Sequence, residues 1–241
     1  MPKFRGMNYS VHGEGRAIVL LHGWGASSKT FYNLIEFLSL NYKVYAIDFL
    51  GFGKSDEPNK DYTIFSYAED INRFILDIVK EKVILLGHSF GGRVCLILGS
   101  RAYVEAIVLV DSAGIKPRFS LFKYIKIKQY KRLKQEVEKN PRLIKKLDKF
   151  GSLDYKSLSK DKRGIFVRVV NQDLSKFCSK ITCPTLILWG KADKDTFVYM
   201  AKRLHRLIVN SKLEIISGGH YSFLDNEKVF NRSLYKFLES L

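Results

Sequence analysis

Cysteine is scarce in this chain of 241 residues. There are three, Cys95, Cys178 and Cys183, an odd number with no Cys-x-x-Cys spacing. That argues against a disulfide framework and against a zinc site built on thiolates. Cys95 lies in an apolar helix-like run and reads as a buried free thiol. Long apolar runs are also missing, and no stretch approaches the roughly 20 residues that span a bilayer. The amino-terminal Met1-Pro2-Lys3-Phe4-Arg5-Gly6 is charged, but no apolar stretch with a small-residue cleavage site follows it. A signal peptide is therefore not expected, and the expected location is the cytoplasm.

Acidic residues are the minority, 24 against 41 Lys and Arg, for a formal charge of +17. The imbalance is local. Between Ile115 and Ile181 lie 20 basic and 6 acidic residues, net +14; the remaining 21 basic and 18 acidic residues leave +3 for the rest of the chain. No zinc-finger, RNP or basic-zipper pattern accompanies the excess, so a nucleic-acid partner is not expected. A solvated lysine-rich surface accounts for the excess. Attraction to an acidic partner or an anionic membrane is the sharper reading of the same segment.

What is present is an alternation of strand-like and helix-like segments. Apolar runs rich in Val, Ile and Leu occur at Ala17–Leu21, Tyr42–Ile47, Val83–Leu86, Ala106–Val110, Thr185–Trp189 and Leu213–Ile216. They are nearly continuous, which is how strands buried on both faces of a parallel sheet read. Helical patterns fall at Thr30–Leu40, Ser66–Val79, Arg93–Gly99, Val198–Ile208 and Asn226–Leu241. The fold class this predicts is α/β, a mostly parallel central sheet wrapped by helices. The interval from Val110 to Thr185 breaks the alternation. It has no convincing strand, and it carries Ile125, Ile127, Leu133, Val137, Leu143, Ile144 and Leu147 at helical spacing, with a helix boundary at Asn140-Pro141 and a further helix over Asp161–Asp173. The division expected is a core over 1–114 and 182–241, interrupted by a helical cap over 115–181. No linker separates the cap, so it should pack on the core.

The chemistry concentrates at strand ends. Gly87-His88-Ser89-Phe90-Gly91 places a serine in a tight Gly-x-Ser-x-Gly turn between a strand-like and a helix-like run, the pattern of a nucleophile elbow. Gly87 and Gly91 remove the Cβ atoms that would crowd such a turn. A serine hydroxyl is a weak nucleophile near neutral pH and needs a base, itself oriented by a third group. Gly190-Lys191-Ala192-Asp193 follows one predicted strand and Ser217-Gly218-Gly219-His220 another. Both lie on the carboxyl edge where open α/β sheets build their sites. Asp195 and Asp111 are the alternative acids. His205 reads as a solvated helix face, His12 precedes the serine, and His22 and His88 neighbour the site. Attack on an acyl carbon also creates an oxyanion that fixed donors must meet. The backbone N–H of Phe90, at a helix start, and that of Trp24, in the loop Leu21-His22-Gly23-Trp24-Gly25, are suited to that task.

These motifs, HGWG at 22–25, DFLGFGKSD at 48–56, GHSFGG at 87–92, WGKAD at 189–193 and GGH at 218–220, resemble those of the α/β-hydrolase fold superfamily, in its capped serine-hydrolase and carboxylesterase-like branch. The resemblance spans nearly the whole chain. It implies Ser89 as nucleophile, His220 as base and Asp193 as its orienting acid. It further implies the Trp24 and Phe90 amides as an oxyanion hole, no cofactor or metal, and a small acyl substrate. It makes DFLGFGKSD a structural turn. About ten residues precede Val11, so the first strand of the family is expected to be missing. Serine at position 89 argues against the dehalogenase and epoxide-hydrolase branches, which attack with a carboxylate. Two other activities fit the same motifs. Gly91-Gly92-Arg93 resembles the menaquinone-pathway synthases, lyases in which the arginine, here Arg93, helps bind substrate carboxylates. A non-catalytic ligand-binding receptor on the same fold is the other.

Overall fold

Within a single strand, Val19 and Leu21 belong to one buried cluster and Ile18 and Leu20 to another, and all four are fully enclosed. Successive side chains of a strand point to opposite faces, so a run that is apolar at every position demands cover on both sides. The computed structural model supplies that cover, and it describes residues 2–116, 121–140, 142–143, 146 and 160–241.

Among the described residues eight strands form one sheet: β1 Lys3–Phe4, β2 Met7–His12, β3 Ala17–Leu21, β4 Lys43–Ile47, β5 Val83–His88, β6 Val104–Val110, β7 Thr185–Gly190 and β8 Ser211–Ile216. They run in the order β1-β2-β4-β3-β5-β6-β7-β8. The β1–β2 and β2–β4 pairs are antiparallel, and every pair from β4 to β8 is parallel. The expectation of a missing first strand is therefore corrected. β1 is only two residues long, and the hairpin to β2 closes through Arg5 and Gly6 at φ of 50° and 83°. Positive φ at both central residues matches the twist of a two-residue hairpin.

Helix α1 (Tyr32–Leu38) covers one face of the sheet together with the carboxy-terminal helix Glu227–Leu238, through Leu34, Leu38, Phe230 and Leu234. Helices α2 (Ile64–Phe74) and α3 (Phe90–Leu98) cover the other, through Ile71, Phe74, Val94 and Cys95. Each fully buried Val, Leu, Ile or Phe contributes about 1.5–3 kcal/mol. Helix α2 starts two residues earlier than its apolar pattern because Thr63 and Ser66 cap it reciprocally, Ser66 N–H to Thr63 Oγ1 at 3.3 Å and Thr63 N–H to Ser66 Oγ at 3.2 Å. It closes through a π-turn over Ile75–Val79 that ends on Lys80 at φ 59°.

Between β6 and β7 the described residues hold helix α4 (Leu121–Lys139) and helix α5 (Lys160–Asn171), and no strand. Pro141, Ile144 and Leu147 lie outside the described residues, so the helix start expected at Asn140-Pro141 does too. Leu121, Ile125 and Ile127 on α4 are exposed, whereas Ile165 and Val169 of α5 are buried in the core. Lys162 of α5 donates to the Gly51 carbonyl at 2.9 Å and pairs with Glu57 at 2.9 Å. Among the described residues, no helix is long and apolar enough to cross a membrane.

The parallel order has one reversal. The chain runs from β3 outward to β4 on one side, and from β3's other neighbour, β5, outward to β8 on the other. The crevice at the carboxyl ends of β3 and β5 is thus the switch point where open α/β sheets bind ligands.

Candidate functional site

Ser89 directly follows β5 and adopts φ 48°, ψ −106°, a region that L-residues rarely enter. The turn is held from several sides. Ser89 N–H donates to the Val110 carbonyl at 3.0 Å, while its own carbonyl accepts from Ala113 N–H at 2.9 Å and Gly92 N–H at 3.1 Å. The loop after β3 lies against it, since a Cβ built on Gly23 would stand 3.5 Å from Ser89 Cβ. Gly91 N–H donates to the His22 carbonyl at 3.1 Å, which ties the start of α3 to that loop. The residues that carry the Phe90 and Trp24 amides are thereby brought to one end of the switch-point crevice, and their side chains meet edge to face at 5.3 Å.

His220, four residues past β8, reaches both expected partners. Its Nε2 is 3.0 Å from Ser89 Oγ and its Nδ1 is 2.9 Å from Asp193 Oδ2. A carboxylate can only accept, so Nδ1 carries the proton and the lone pair of Nε2 faces the serine hydroxyl. Burial pulls the His220 pKa down, but the hydrogen bond and charge of Asp193 prevail, leaving it above the ordinary histidine value. Asp193 is 5% exposed. Burial raises its pKa, yet hydrogen bonds from His220 and Thr196 outweigh this and hold it below the ordinary aspartate value. The carboxylate is further fixed by Thr196 Oγ1 at 2.6 Å, Thr196 N–H at 2.9 Å and Asp195 N–H at 2.8 Å.

The remaining titratable groups take other places. The carboxylate of Asp111 bonds Gly190 and Ser222 rather than His220. His205 contacts Ser211 on an exposed helix, and His12 contacts Ser10 on an exposed strand. His22 and His88 are buried, and desolvation lowers their pKa values to about 4 and about 3. Neutral His22 donates from Nδ1 to the Gly23 carbonyl at 2.7 Å and accepts Phe49 N–H at Nε2, 3.1 Å, so it braces the loop after β3. His88 donates from Nε2 to the carbonyl of His220 at 2.8 Å. Asp48 of the DFLGFGKSD turn accepts from Ser28 N–H, Lys54 N–H and Asn8 Nδ2 at 2.7–2.9 Å, a purely structural set of contacts. Arg93, weighed as a contact for substrate carboxylates, is engaged differently. It is 6% exposed, and its guanidinium donates to the carbonyls of Val170 at 3.2 Å and Gln172 at 2.9 Å, at the carboxyl end of α5.

Asp193, Asp195 and His220 bring donor atoms within 4.8 Å of one another, as a metal site would. Both nitrogens of His220 are already committed to Asp193 and Ser89, so a cation there would have to displace one of these two contacts. Two open surface clefts, about 530 and 320 Å³, lie beside the amino ends of β6–β8. That is the wrong edge of a parallel sheet for chemistry, and neither is lined by Ser89 or His220.

The description "alpha/beta hydrolase fold" belongs to the family matched by residues 16–124. The chain is 30% identical over 253 residues to the AB hydrolase superfamily protein YisY of Bacillus subtilis, covering 95% of this chain and 93% of that one. This chain belongs to the α/β-hydrolase superfamily. It is 28% identical over 257 residues to the 2-hydroxy-6-oxo-6-(2'-aminophenyl)hexa-2,4-dienoic acid hydrolase of Metapseudomonas resinovorans, covering 95% of this chain and 86% of that one. Among solved structures it is similar to an esterase from Exiguobacterium antarcticum, with a TM-score of 0.75 and 26% identity over 97% of this chain and 95% of that one. For an α/β-hydrolase, the residues that sequence reasoning missed are Thr196 and Ser222, and Asp111, weighed there as an alternative acid, instead bonds Gly190 and Ser222. Only Thr196 left a signal, three residues beyond Asp193, where Asx-type turns place a hydroxyl or amide on the carboxylate.

Proposed function

We propose that this α/β-hydrolase is a serine hydrolase that cleaves an ester or similar acyl substrate through an acyl-enzyme. The observation that carries the reading is the unbroken run of contacts from Ser89 Oγ through His220 to Asp193, with the serine held at φ 48°. In this mechanism His220 Nε2 removes the Ser89 proton as Oγ attacks the acyl carbon, and Asp193 stabilises the imidazolium. The N–H groups of Phe90 and Trp24 receive the oxyanion. Imidazolium then protonates the leaving group, and a water activated by the same nitrogen releases the acid. The esterase and hydrolase names among the relatives support hydrolysis. Against the lyase reading, Arg93 is 6% exposed and turns two of its five N–H donors to the carbonyls of Val170 and Gln172.

The test is labelling by a fluorophosphonate together with turnover of a p-nitrophenyl ester chain-length series. Wild type should label at Ser89 and show an acyl-enzyme burst. Ser89→Ala should lose both, with kcat down on the order of 10⁶-fold and the melting temperature unchanged within a few degrees. A wild type that neither labels nor bursts would end the proposal.

A further inference from the structure

Asp111 closes β6 at φ 44°, a backbone region that costs a non-glycine residue of order 1–3 kcal/mol, and it is 0% exposed. A strained, buried carboxylate persists where its surroundings over-determine it. Here they come from the two loops that carry the acid and the base. Oδ1 accepts the N–H of Gly190 at 2.7 Å, three residues before Asp193. Oδ2 accepts the N–H of Ser222 at 3.1 Å and its Oγ at 2.6 Å, two residues after His220. The backbone carbonyl of Asp111 lies 2.9 Å from Thr196 Oγ1, the same hydroxyl that lies 2.6 Å from Asp193. Its N–H donates to Leu188 of β7 at 3.0 Å. One residue therefore fastens the turn after β7 to the loop after β8, segments that a helix and a strand separate along the chain.

We propose that Asp111 is a positioning residue of the catalytic triad, its two carboxylate oxygens setting the separation of Asp193 and His220. The inference rests on the serine-hydrolase reading above. The strut has three consequences. First, the Nδ1–Oδ2 contact of 2.9 Å is held by a third buried group and not by the two loops alone. Second, a second negative charge stands behind the imidazole. The groups that face His220 are Asp193 and Asp195 from the turn after β7, Asp111 from the end of β6, and neutral His88 from the end of β5. The three carboxylates all favour protonated His220, which is the form the reaction generates at the base. Third, Asp111 itself is pushed up to about 7, mainly by burial, so its charge fades as pH falls through neutrality.

The experiment is an NMR titration of the His220 ring in wild type and Asp111→Asn, alongside kcat and KM across pH. Asparagine keeps the size and one acceptor but removes the charge and turns an amide donor toward the donors of Ser222 or Gly190. The expected result is a His220 pKa lowered by about one unit, a tenfold change in proton affinity. The acidic limb of kcat/KM should shift the same way, and kcat should fall roughly 10- to 100-fold at unchanged KM. A folded Asp111→Asn with wild-type His220 titration and wild-type kcat overturns the proposal. If Asp111→Asn does not fold, Ser222→Ala decides, since it removes one strut contact and leaves the charge. A lower kcat at constant KM supports the strut, and unchanged kinetics refute it. The titration needs no turnover, so absence of fluorophosphonate labelling would sink the hydrolase reading while the ring pKa still decides the fate of Asp111.

Discussion

Gly91→Ala should separate the two amides proposed to receive the oxyanion, those of Phe90 and Trp24. A Cβ built on Gly91 would stand 2.0 Å from the carbonyl oxygen of Leu21 and 2.5 Å from its carbon, distances that real Cβ atoms do not adopt. Both atoms are backbone, so no side chain can swing aside. The start of α3 must move from the end of β3 by about 1 Å to relieve the contact, a displacement in the range that costs 1–3 kcal/mol in overpacked cores. For a chain of this length that is roughly 2–4 °C in melting temperature per kcal/mol, or a fall of about 2–12 °C. The movement also stretches the 3.1 Å bond from Gly91 N–H to His22. It carries the Phe90 amide away from the loop that holds the Trp24 amide. A misplacement of about 1 Å in a catalytic constellation costs about 10²-fold, and it should fall on kcat because the oxyanion exists only after attack. The assay is steady-state turnover of p-nitrophenyl acetate, with the second-order rate of fluorophosphonate labelling and a calorimetric melt on the same samples. A Gly91→Ala variant with wild-type kcat and melting temperature would refute the reasoning, because the clash would then have been absorbed without moving the site.

Two further substitutions probe helix α5. Arg93→Met keeps the apolar stem but orphans the carbonyls of Val170 and Gln172; a loss of about 1–3 kcal/mol is expected, with a melting temperature lower by roughly 2–12 °C and a KM that rises more than kcat falls. Equal stability of Arg93→Met would show that the guanidinium contacts are incidental. Gly164→Ala should act the other way, since Gly164 is exposed within α5 and, among the described residues, an added Cβ would meet the Arg168 guanidinium at 3.6 Å, an ordinary contact. A gain of up to about 1 kcal/mol is expected, and a melt no higher than wild type would contradict it.

The residues of β3, β5, β6 and β7 were legible because burial on both faces leaves no alternation to interpret, and Val, Ile and Leu fill such strands. β2 was not. Its Asn8 and Ser10 break the apolar run, and it is an antiparallel strand whose hairpin turns on Arg5, a non-glycine residue at positive φ that no turn dipeptide announces. The same contrast divides the site. Ser89, Asp193 and His220 each sit just past a strand, so the strand pattern locates them. Asp111 and Ser222 are 111 residues apart in sequence, and each alone is an ordinary turn or helix-start residue. Their role exists only in the contact between them. His22 and His88 were legible as neighbours of the site, but not as buried neutral donors, since that depends on which carbonyls approach the rings.

The residues at the strand ends and the aromatic cluster beside them have different origins. The groups proposed for the chemistry hang on strand ends, whose positions are fixed by inter-strand register. The aromatic cluster beside them comes from separate elements. Trp24 of the β3 loop packs at 4.9 Å on Phe52 of the turn after β4, at 5.3 Å on Phe90 of α3, and at 5.2 Å on Phe166 of α5. Phe166 reaches Trp24 because its neighbours Ile165 and Val169 are buried in the core, while Arg93 holds the carboxyl end of the same helix. A helix rotates its side chains by about 100° per residue, so a slip of one position in α5 would take Phe166 off the indole and leave the triad untouched. Arg93, one helical turn after Ser89, therefore joins helix α3 to the carboxyl end of helix α5. Its contacts let helix α3 set where Phe166 meets Trp24.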